Sequence, residues 1–407
     1  MKILFLANRF PYPPYRGDKL KIFNLAKQLS ERHTLYLITF IDNKDDYNYL
    51  PELEKYFDEI KLVYMPHFMS AFNSLSNVFS ETPFQINYFR SNRLKKVLEE
   101  FISQNEIDVI HTQHLRMAQY TAGLKNVSTV LDLPDAYSMY WERRASQKKN
   151  PLINFMERSE YKKVLKYEKI ICEFDLTLVC SEEDKNYLIA EHELNNIEVL
   201  ENGVDTDQFG GEEHDYFIDD QIIFTGNMTY HPNIDAAVYF AEEIFPEVLK
   251  KFPNVKFKIA GQNPTEKILK LQSENIIVTG FVKSLSDEYS KSSIAVSPVR
   301  VGAGSMNKVL EPMSMGVPVV SSEIGFKGLG AKAGLDILLA ENKSEFINSV
   351  CNLLSHAEYR RYIGMSGREV IQNNLSWEKI ALKLEDYFYS VADHRKEEYI
   401  IHFENAV

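Results

Sequence analysis

Long apolar runs are missing from this sequence: nowhere do about 18 apolar residues stand in a row, the length a bilayer crossing requires, so no transmembrane helix is expected. The run ILFLA after Lys2 offers about five apolar residues before Asn8 and Arg9, too few for a secretory signal core, which points to a cytoplasmic protein. Cysteine is scarce. Cys172, Cys180 and Cys351 form no CxxC pair and have no histidine cluster beside them, so neither a zinc site nor a disulfide framework fits, and a reducing compartment suits the chain. Basic residues are outnumbered, 46 Lys and Arg against 58 Asp and Glu for a net charge of -12, and such a surface does not suit a dedicated nucleic-acid binder. No acidic or histidine cluster has the spacing of a divalent-cation site. Neither an internal repeat of about 20 to 50 residues nor a low-complexity segment is visible.

What is present is material for two or three buried cores: 407 residues, 44% of them hydrophobic. Short β-branched runs alternate with amphipathic stretches, KILFLA, KIFNLAKQL, HTLYLITF, KLVYMP, DVIHTQ, TVLDLP, LTLVCS and IEVLEN, with segments between them long enough for parallel crossovers. That rhythm predicts a doubly wound parallel sheet. It breaks over the Gly-, Asp- and Glu-rich 202–220 and restarts with QIIFTG, VKFKIAG, IIVTGFV, IAVSPV, VPVVSS and DILLA, the helical IDAAVYFAEEIFPEVLKKF lying between the first two. We expect an α/β chain of two Rossmann-like domains, 1–205 and 206–375. A C-terminal amphipathic helix, 376–407, carries Ile380, Leu384, Tyr387 and Phe388 at helical spacing and is expected to pack back on the first domain.

The most informative stretch is VSPVRVGAGSMNKVLEPMSMGVPVVSS, residues 296–322. A strand ends at Pro298, a turn with Gly302 and Gly304 follows, and a helix is predicted from Ser305 to Met315, stopping at Gly316. A helix start behind glycines presents free amide groups and the positive end of the dipole, which is what a diphosphate needs. Lys308 lies one turn in. Glu311, three residues later on the same face, suits paired ribose hydroxyls. On spacing alone an ordinary strand-turn-helix with Lys308 and Glu311 as a surface ion pair fits equally well.

GAG…NKVLE followed by MGVPVVSS resembles the donor-binding segment of glycosyltransferase family 4, enzymes of the GT-B fold whose two Rossmann-like doubly wound domains face each other across a cleft. The resemblance implies that the backbone at Gly304, Ser305 and Met306 holds the donor diphosphate, that Lys308 stabilises its charge during transfer, and that Glu311 binds the ribose. FTGNMTYHPN resembles the opening of the family's second domain, which implies donor contacts at Gly226 and Asn227. IAGQNP, VTGFV and VSPVR add Gly261, Phe281 and Arg300 on the same grounds. ENGVD resembles the interdomain junction, and RFPYPPYRGDKLKIFNLAKQL resembles the glycine loop after the first strand, with Gly17 facing the diphosphate. TPFQINYFRS, RMAQY, LDLPDAYSMYW and LVCSEED resemble a narrower group, the sugar transferases of exosortase and PEP-CTERM systems. The implied reaction is retaining transfer from a UDP- or GDP-sugar to a glycan or lipid-diphosphate-linked acceptor, without metal or other cofactor, the domains closing to expel water. Two departures stand out. Ala303 occupies the place of a carboxylate eight residues before Glu311, and Pro312 falls in a helix interior, where it predicts a bend near the ribose site.

His111 and His114 follow the strand DVI, and Asp132 and Asp135 follow TVL, so all four stand at carboxyl ends of strands, where α/β sites lie. The family's base position aligns near Asp132. His111 or either aspartate can serve as proton acceptor, and the resemblance puts Asp135 and Trp141 at the acceptor. Helix capping by the aspartates and a core role for His111 fit as well. Phe68, Phe72, Leu75, Val78 and Phe79 recur at roughly helical spacing in 65–79, and Arg143, Arg144, Lys148, Lys149, Arg158, Lys162, Lys163, Lys166 and Lys169 form the most basic region. Together they suit peripheral contact with an anionic membrane, or simply a buried helix beside solvated faces. A nucleotide-sugar epimerase or hydrolase of the same fold, and a non-catalytic subunit of a polysaccharide assembly complex, stand as alternatives.

Overall fold

The strands form where β-branched and aromatic residues run together, and the inner runs are buried almost from end to end, as parallel strands covered on both faces must be, while the edge strands Glu59–Tyr64 and Ile276–Gly280 are only half-buried. In this computed structural model, which describes residues 1–15, 17–66, 80–146, 150–210, 214–218, 221–301 and 307–404, the chain divides into two units. The first comprises Met1–Glu201 with Ile380–Val407, the second Asn202–Lys379.

The first unit's sheet holds β1 (Lys2–Ala7), β2 (Thr34–Ile41), β3 (Glu59–Tyr64), β4 (Val109–Gln113), β5 (Ser128–Asp132), β6 (Leu176–Val179) and β7 (Ile197–Val199), in the order β3-β2-β1-β4-β5-β6-β7. Every pairing in it is parallel. The order reverses between β1 and β4, and the loops beyond their carboxyl ends frame the place where such sheets bind ligands. Helix α1 (Gly17–Leu29) follows β1 and buries Ile22, Leu25, Ala26 and Leu29. After β5 come α2 (Tyr137–Ser146) and α3 (Pro151–Glu168), which pack against each other. One core cluster gathers Leu4, Leu6, Ile38, Phe89, Phe101 and Ile110, and another Leu131, Tyr137, Val164, Val179, Leu188 and Ile197.

The second unit repeats the plan with β8 (Gln221–Thr225), β9 (Lys256–Ala260), β10 (Ile276–Gly280), β11 (Ile294–Ser297), β12 (Val319–Ser321) and β13 (Leu338–Leu339), again all parallel, in the order β10-β9-β8-β11-β12-β13. Its reversal falls between β8 and β11. Between β8 and β9 the single helix expected from the sequence is interrupted: α4 (His231–Tyr239) passes through a π turn at Phe240–Ile244 before continuing as Phe245–Lys251. Pro246 has no amide for the carbonyl of Glu242, and a widened turn absorbs the missing bond. Two further helices, α5 (Leu285–Ser290) and α6 (Asn307–Ser314), flank β11.

Helix α7 (Trp377–Glu404) belongs to the first unit from Ile380 onward. Glu385 on it meets His33 Nε2 at 2.7 Å and Arg32 at 3.0 Å, Lys383 meets Glu201 at 2.8 Å, and Phe388 packs against His111. Among the described residues no helix is long and apolar enough to cross a membrane.

Candidate active site

In the second unit the turns after three neighbouring strands interlock. Gly226 N donates to Ala260 O at 3.1 Å, Gly261 N to Gly280 O at 3.0 Å, and Met228 N to Gln262 O at 2.9 Å. A side chain at Gly261 would meet the Gly226 carbonyl at 1.8 Å, so only glycine lets these turns approach. Asn227, just beyond Gly226, spends its side-chain oxygen on its own turn, accepting from Thr229 N at 3.0 Å and Thr229 Oγ1 at 2.8 Å. Phe281, after β10, is exposed.

Helix α6 carries Lys308 and Glu311 and contains Pro312. The proline removes the amide that would have met the Lys308 carbonyl, and the helix ends two residues later. Gly316, at φ +79°, closes it with two bonds, Gly316 N to Met313 O and Val317 N to Pro312 O, both 2.9 Å. This is the reciprocal pattern that satisfies the last helical carbonyls. Gly304, Ser305 and Met306, with Gly302 and Ala303, lie outside the described residues.

Glu311 is tied to the far side of the strand reversal. Its Oε2 accepts from Tyr289 Oη at 3.0 Å, and the same hydroxyl lies 2.7 Å from Thr225 Oγ1 at the end of β8. Tyr289, on α5, is buried. Burial raises the Glu311 carboxyl to about 7, against the opposing pull of Tyr289 and Lys308. Burial likewise lowers the Lys308 ammonium to about 8, against the attraction of Glu311. A poised acid and a poised base sit one turn apart on a short helix, an arrangement typical of sites that handle charge. Arg300, after β11, is engaged elsewhere in the unit: its guanidinium makes a two-point contact with Asp235 on α4, at 2.6 and 3.0 Å, and stacks over Tyr239 at 4.3 Å.

The first unit offers a separate cluster. Gly17 is the exposed first residue of α1. Gln113 at the end of β4 donates to Asp18 O at 2.6 Å, and Arg9 beyond β1 lies 3.3 Å from Asp18 Oδ2. A cavity of about 270 Å³ opens over the ends of β1 to β3, lined by Asn8, Arg9, Lys19, Asp42, Asp46 and Tyr88 among others. Asn8 is fully buried, and both its amide atoms lack a hydrogen-bond partner among the described residues.

Asp132, expected near the proton-acceptor position, is not an accessible base. It is buried as the counter-ion of Lys21, whose Nζ lies 2.7 Å from Oδ1, and His111 Nε2 approaches Oδ2 at 3.3 Å. Burial by itself would raise this carboxyl, but Lys21 and His111 override it and hold it down at about 2. Burial would lower Lys21, and Asp132 reverses that too, so the ammonium titrates above its usual range. His111 is fully buried between Phe5 at 4.9 Å and Phe388 at 5.9 Å. A carboxyl titrating near 2 and an enclosed imidazole position structure, and neither suits proton uptake from a substrate.

Asp135 differs. It is half-buried, and burial together with the Asp184 carboxylate lifts it to about 6, with Arg116 pulling the other way. His114 stands at φ +77°, buried, its Nε2 2.5 Å from Arg116; burial and that cation keep the ring neutral. Trp141 lies in an aromatic group with Tyr137 and Tyr140, Arg144 stacked on its ring at 5.2 Å. Sequence reasoning passed over Thr225, Asp235 and Tyr289, and took Lys21 only as a residue flanking Gly17. Lys21 alone left a signal, a lysine in register with the apolar face of α1.

Two family models match this chain: Glycosyltransferase Family 4 over residues 22–208 and Glycosyl transferases group 1 over residues 219–356. A curated relative, an uncharacterized 44.6 kDa protein in the cps region of Klebsiella pneumoniae, is 26% identical over 170 residues. The match takes in 39% of this chain and 43% of that protein, so less than half of the relative's length is matched. Among solved structures, sucrose-phosphate synthase from Thermosynechococcus elongatus superposes with a TM-score of 0.70 at 15% identity, covering 96% of this chain and 99% of that one. A glycosyltransferase from Rickettsia africae gives 0.63 at 17%, covering 96% and 98%. Anabaena HepE in complex with UDP-glucose gives 0.65 at 14%, covering 96% and 100%. At such identities the structures speak for the fold, two parallel-sheet Rossmann-like domains of GT-B type. With the two models accounting for both halves of the sequence, the chain belongs to the group 1 glycosyltransferases of glycosyltransferase family 4.

Proposed function

We propose that this enzyme takes a sugar from a UDP- or GDP-sugar and joins it, with retained configuration and without a metal ion, to a hydroxyl of a glycan or lipid-linked acceptor in polysaccharide synthesis. The observation that carries the reading is Glu311. Tyr289 holds one of its oxygens and leaves the other for a ribose hydroxyl, while Lys308 one turn earlier supplies a cation for the departing diphosphate. HepE, solved with UDP-glucose, and the relative from a cps region support the donor class and the polysaccharide setting. In this reading the second unit binds the donor and the first unit the acceptor. The bond from the anomeric carbon to the diphosphate breaks as the bond to the acceptor oxygen forms, and Asp135 takes the acceptor's proton. Three free cysteines suit work in a reducing cell interior.

A panel of nucleotides and nucleotide sugars tests the donor. At about a hundredfold excess over Kd, the matching UDP or GDP compound should raise the melting temperature by roughly 5 °C or more. A panel without any responder would remove the donor assignment. Consumption of donor with no acceptor present would favour an epimerase or hydrolase instead.

Asp135→Asn tests the proton acceptor. With the carboxyl at about 6, kcat at saturating donor should rise as pH climbs through about 6, because only the ionised form accepts a proton. Asparagine should lower kcat by about 10²- to 10⁴-fold and abolish that limb. A profile unchanged by the substitution would exclude Asp135.

A further inference from the structure

Helix α3 exposes what a helix surface normally hides. Leu152, Ile153, Phe155 and Met156, in its first two turns, keep 67%, 47%, 73% and 63% of their area open. Single exposed apolar residues need no explanation, but four together on one helix end mark a contact surface. The end is built firmly: Asn150 caps it, accepting from Leu152 N at 3.0 Å, and Pro151 occupies the first turn.

Charge on α3 is sorted by face. Its carboxylates turn toward the protein: Glu157 meets Arg144 at 2.6 Å, Glu160 accepts from Phe84 N at 2.6 Å, and Glu168 accepts from Tyr137 N at 2.9 Å and Ser138 N at 3.1 Å. Its cations turn outward. Arg158, Lys162 and Lys166 are exposed, as is Lys169 just past the helix end, while Lys163 is half-buried; Phe155, Ser159, Lys162 and Lys166 follow one another at three- and four-residue steps along a single line of the helix. Lys166 pairs with Glu81, whereas Arg158 and Lys162 have no ion pair among the described residues. This positive line belongs to a chain of net charge -12, so it is a local feature and no reflection of composition. Between α2 and α3 lies a groove of about 690 Å³, lined by Ala145, Phe155 and Tyr161, with Arg158 and Lys162 and the single carboxylate of Glu142 at the same opening.

We propose that the exposed end of α3 docks on an anionic lipid bilayer, its four apolar side chains entering the acyl boundary and Arg158 and Lys162 meeting the lipid phosphates. The rise from Phe155 to Lys162 is about 10 Å along a helix, which matches the depth of roughly 5 to 10 Å at which interfacial apolar groups settle. A second copy of this chain is a poorer partner, because symmetric pairing would bring the same four cations face to face. The docking does not depend on the transfer reading, since vesicles without donor or acceptor suffice to test it.

The experiment is sedimentation of the full chain with vesicles of phosphatidylcholine alone and of an equal mixture with phosphatidylglycerol. Binding is expected only to the mixture and should be released by high salt. Arg158→Gln with Lys162→Gln should weaken it by about 25-fold, fivefold for each cation. Phe155→Ser with Met156→Ser should weaken it at least about tenfold through lost apolar burial. The melting temperature should stay unchanged, since both side chains are already exposed. Equal binding to both vesicle types, no binding to either, or variants that bind like the parent would each overturn the proposal. A concentration-dependent dimer lost on Phe155→Ser with Met156→Ser, without vesicle binding, would assign the surface to self-association and overturn it as well.

Discussion

Lys21→Met should cost the first unit about 3–5 kcal/mol, a large share of a typical domain's stability, because it strands the Asp132 carboxylate in the core. Asp132 is 1% exposed, and after the change the one side chain left facing its carboxylate in an ion-pair geometry among the described residues would be the His111 ring, 3.3 Å away. The leftover charge is what makes the loss large: an ion pair replaced as a whole by apolar groups commonly costs little. Lys21→Met with Asp132→Leu should therefore recover most of the stability, to within about 2 kcal/mol of the parent. Urea denaturation followed by circular dichroism reads both. A single Lys21→Met variant within about 1 kcal/mol of the parent would show that water reaches the site and that the pair is not truly buried. The pH dependence has a definite sign. Asp132 is depressed from 3.8 to about 2, so its contribution is complete above pH 4 or so and is lost as pH falls through about 2. Acid should unfold the parent over that window, and the double variant should lack this part of the slope.

That pair also marks the limit of what one sequence discloses. The strands were legible because parallel strands buried on both faces need unbroken runs such as ILFLA, TLYLITFI and IIFT, and the crossovers between them dictated two doubly wound sheets. The motif around Lys308 and Glu311 was legible because its spacing is local. Lys21 and Asp132 are 111 residues apart, and nothing in either neighbourhood announces the other. Sequence position put Asp132 and Asp135 alike at a strand's carboxyl end, and the family resemblance favoured Asp132 as the base with Asp135 at the acceptor. Only the packing separates them, holding one carboxyl at about 2 beside an ammonium and lifting the other to about 6 beside a second carboxylate. Tyr289 was invisible for the same reason. An aromatic residue in an amphipathic helix reads as core, and its hydroxyl gains meaning only where the fold brings Thr225 and Glu311 to it. The break in the helix after β8 could have been anticipated from Pro246, whose missing amide the sequence displays openly. The segment 67–79, with Phe68, Phe72, Leu75, Val78 and Phe79, lies outside the described residues, as do Lys148 and Lys149. The apolar surface beside the basic region is carried by Leu152, Ile153, Phe155 and Met156, a stretch its sequence pattern did not single out.

The remaining large effect concerns Lys308 and Glu311 together. Lys308→Ala should lower kcat by about 10²- to 10³-fold, the usual consequence of removing one group that stabilises a leaving anion, while leaving the melting temperature of the unliganded protein nearly unchanged or slightly higher. Glu311→Gln keeps a partner for the Tyr289 hydroxyl but gives up the charge that strengthens a ribose hydrogen bond, so the donor KM should rise by about 10- to 100-fold with a smaller fall in kcat. The two groups predict an unusual profile for the parent. On the proposed reading donor capture needs Glu311 ionised, which happens as pH rises through about 7, and Lys308 protonated, which fails as pH rises through about 8. The ratio kcat/KM for donor should accordingly peak in a narrow band between those values. Glu311→Gln should erase the limb near 7, leave on the acid side only the one that Asp135 sets near 6, and keep the basic limb. Tyr289→Phe removes the hydrogen bond that favours the ionised carboxylate, so it should move the acidic limb to higher pH without abolishing transfer, which a merely structural tyrosine would not do. A flat profile in the parent, or a Tyr289→Phe variant whose limb stays put, would mean that Glu311 does not meet the donor as a carboxylate.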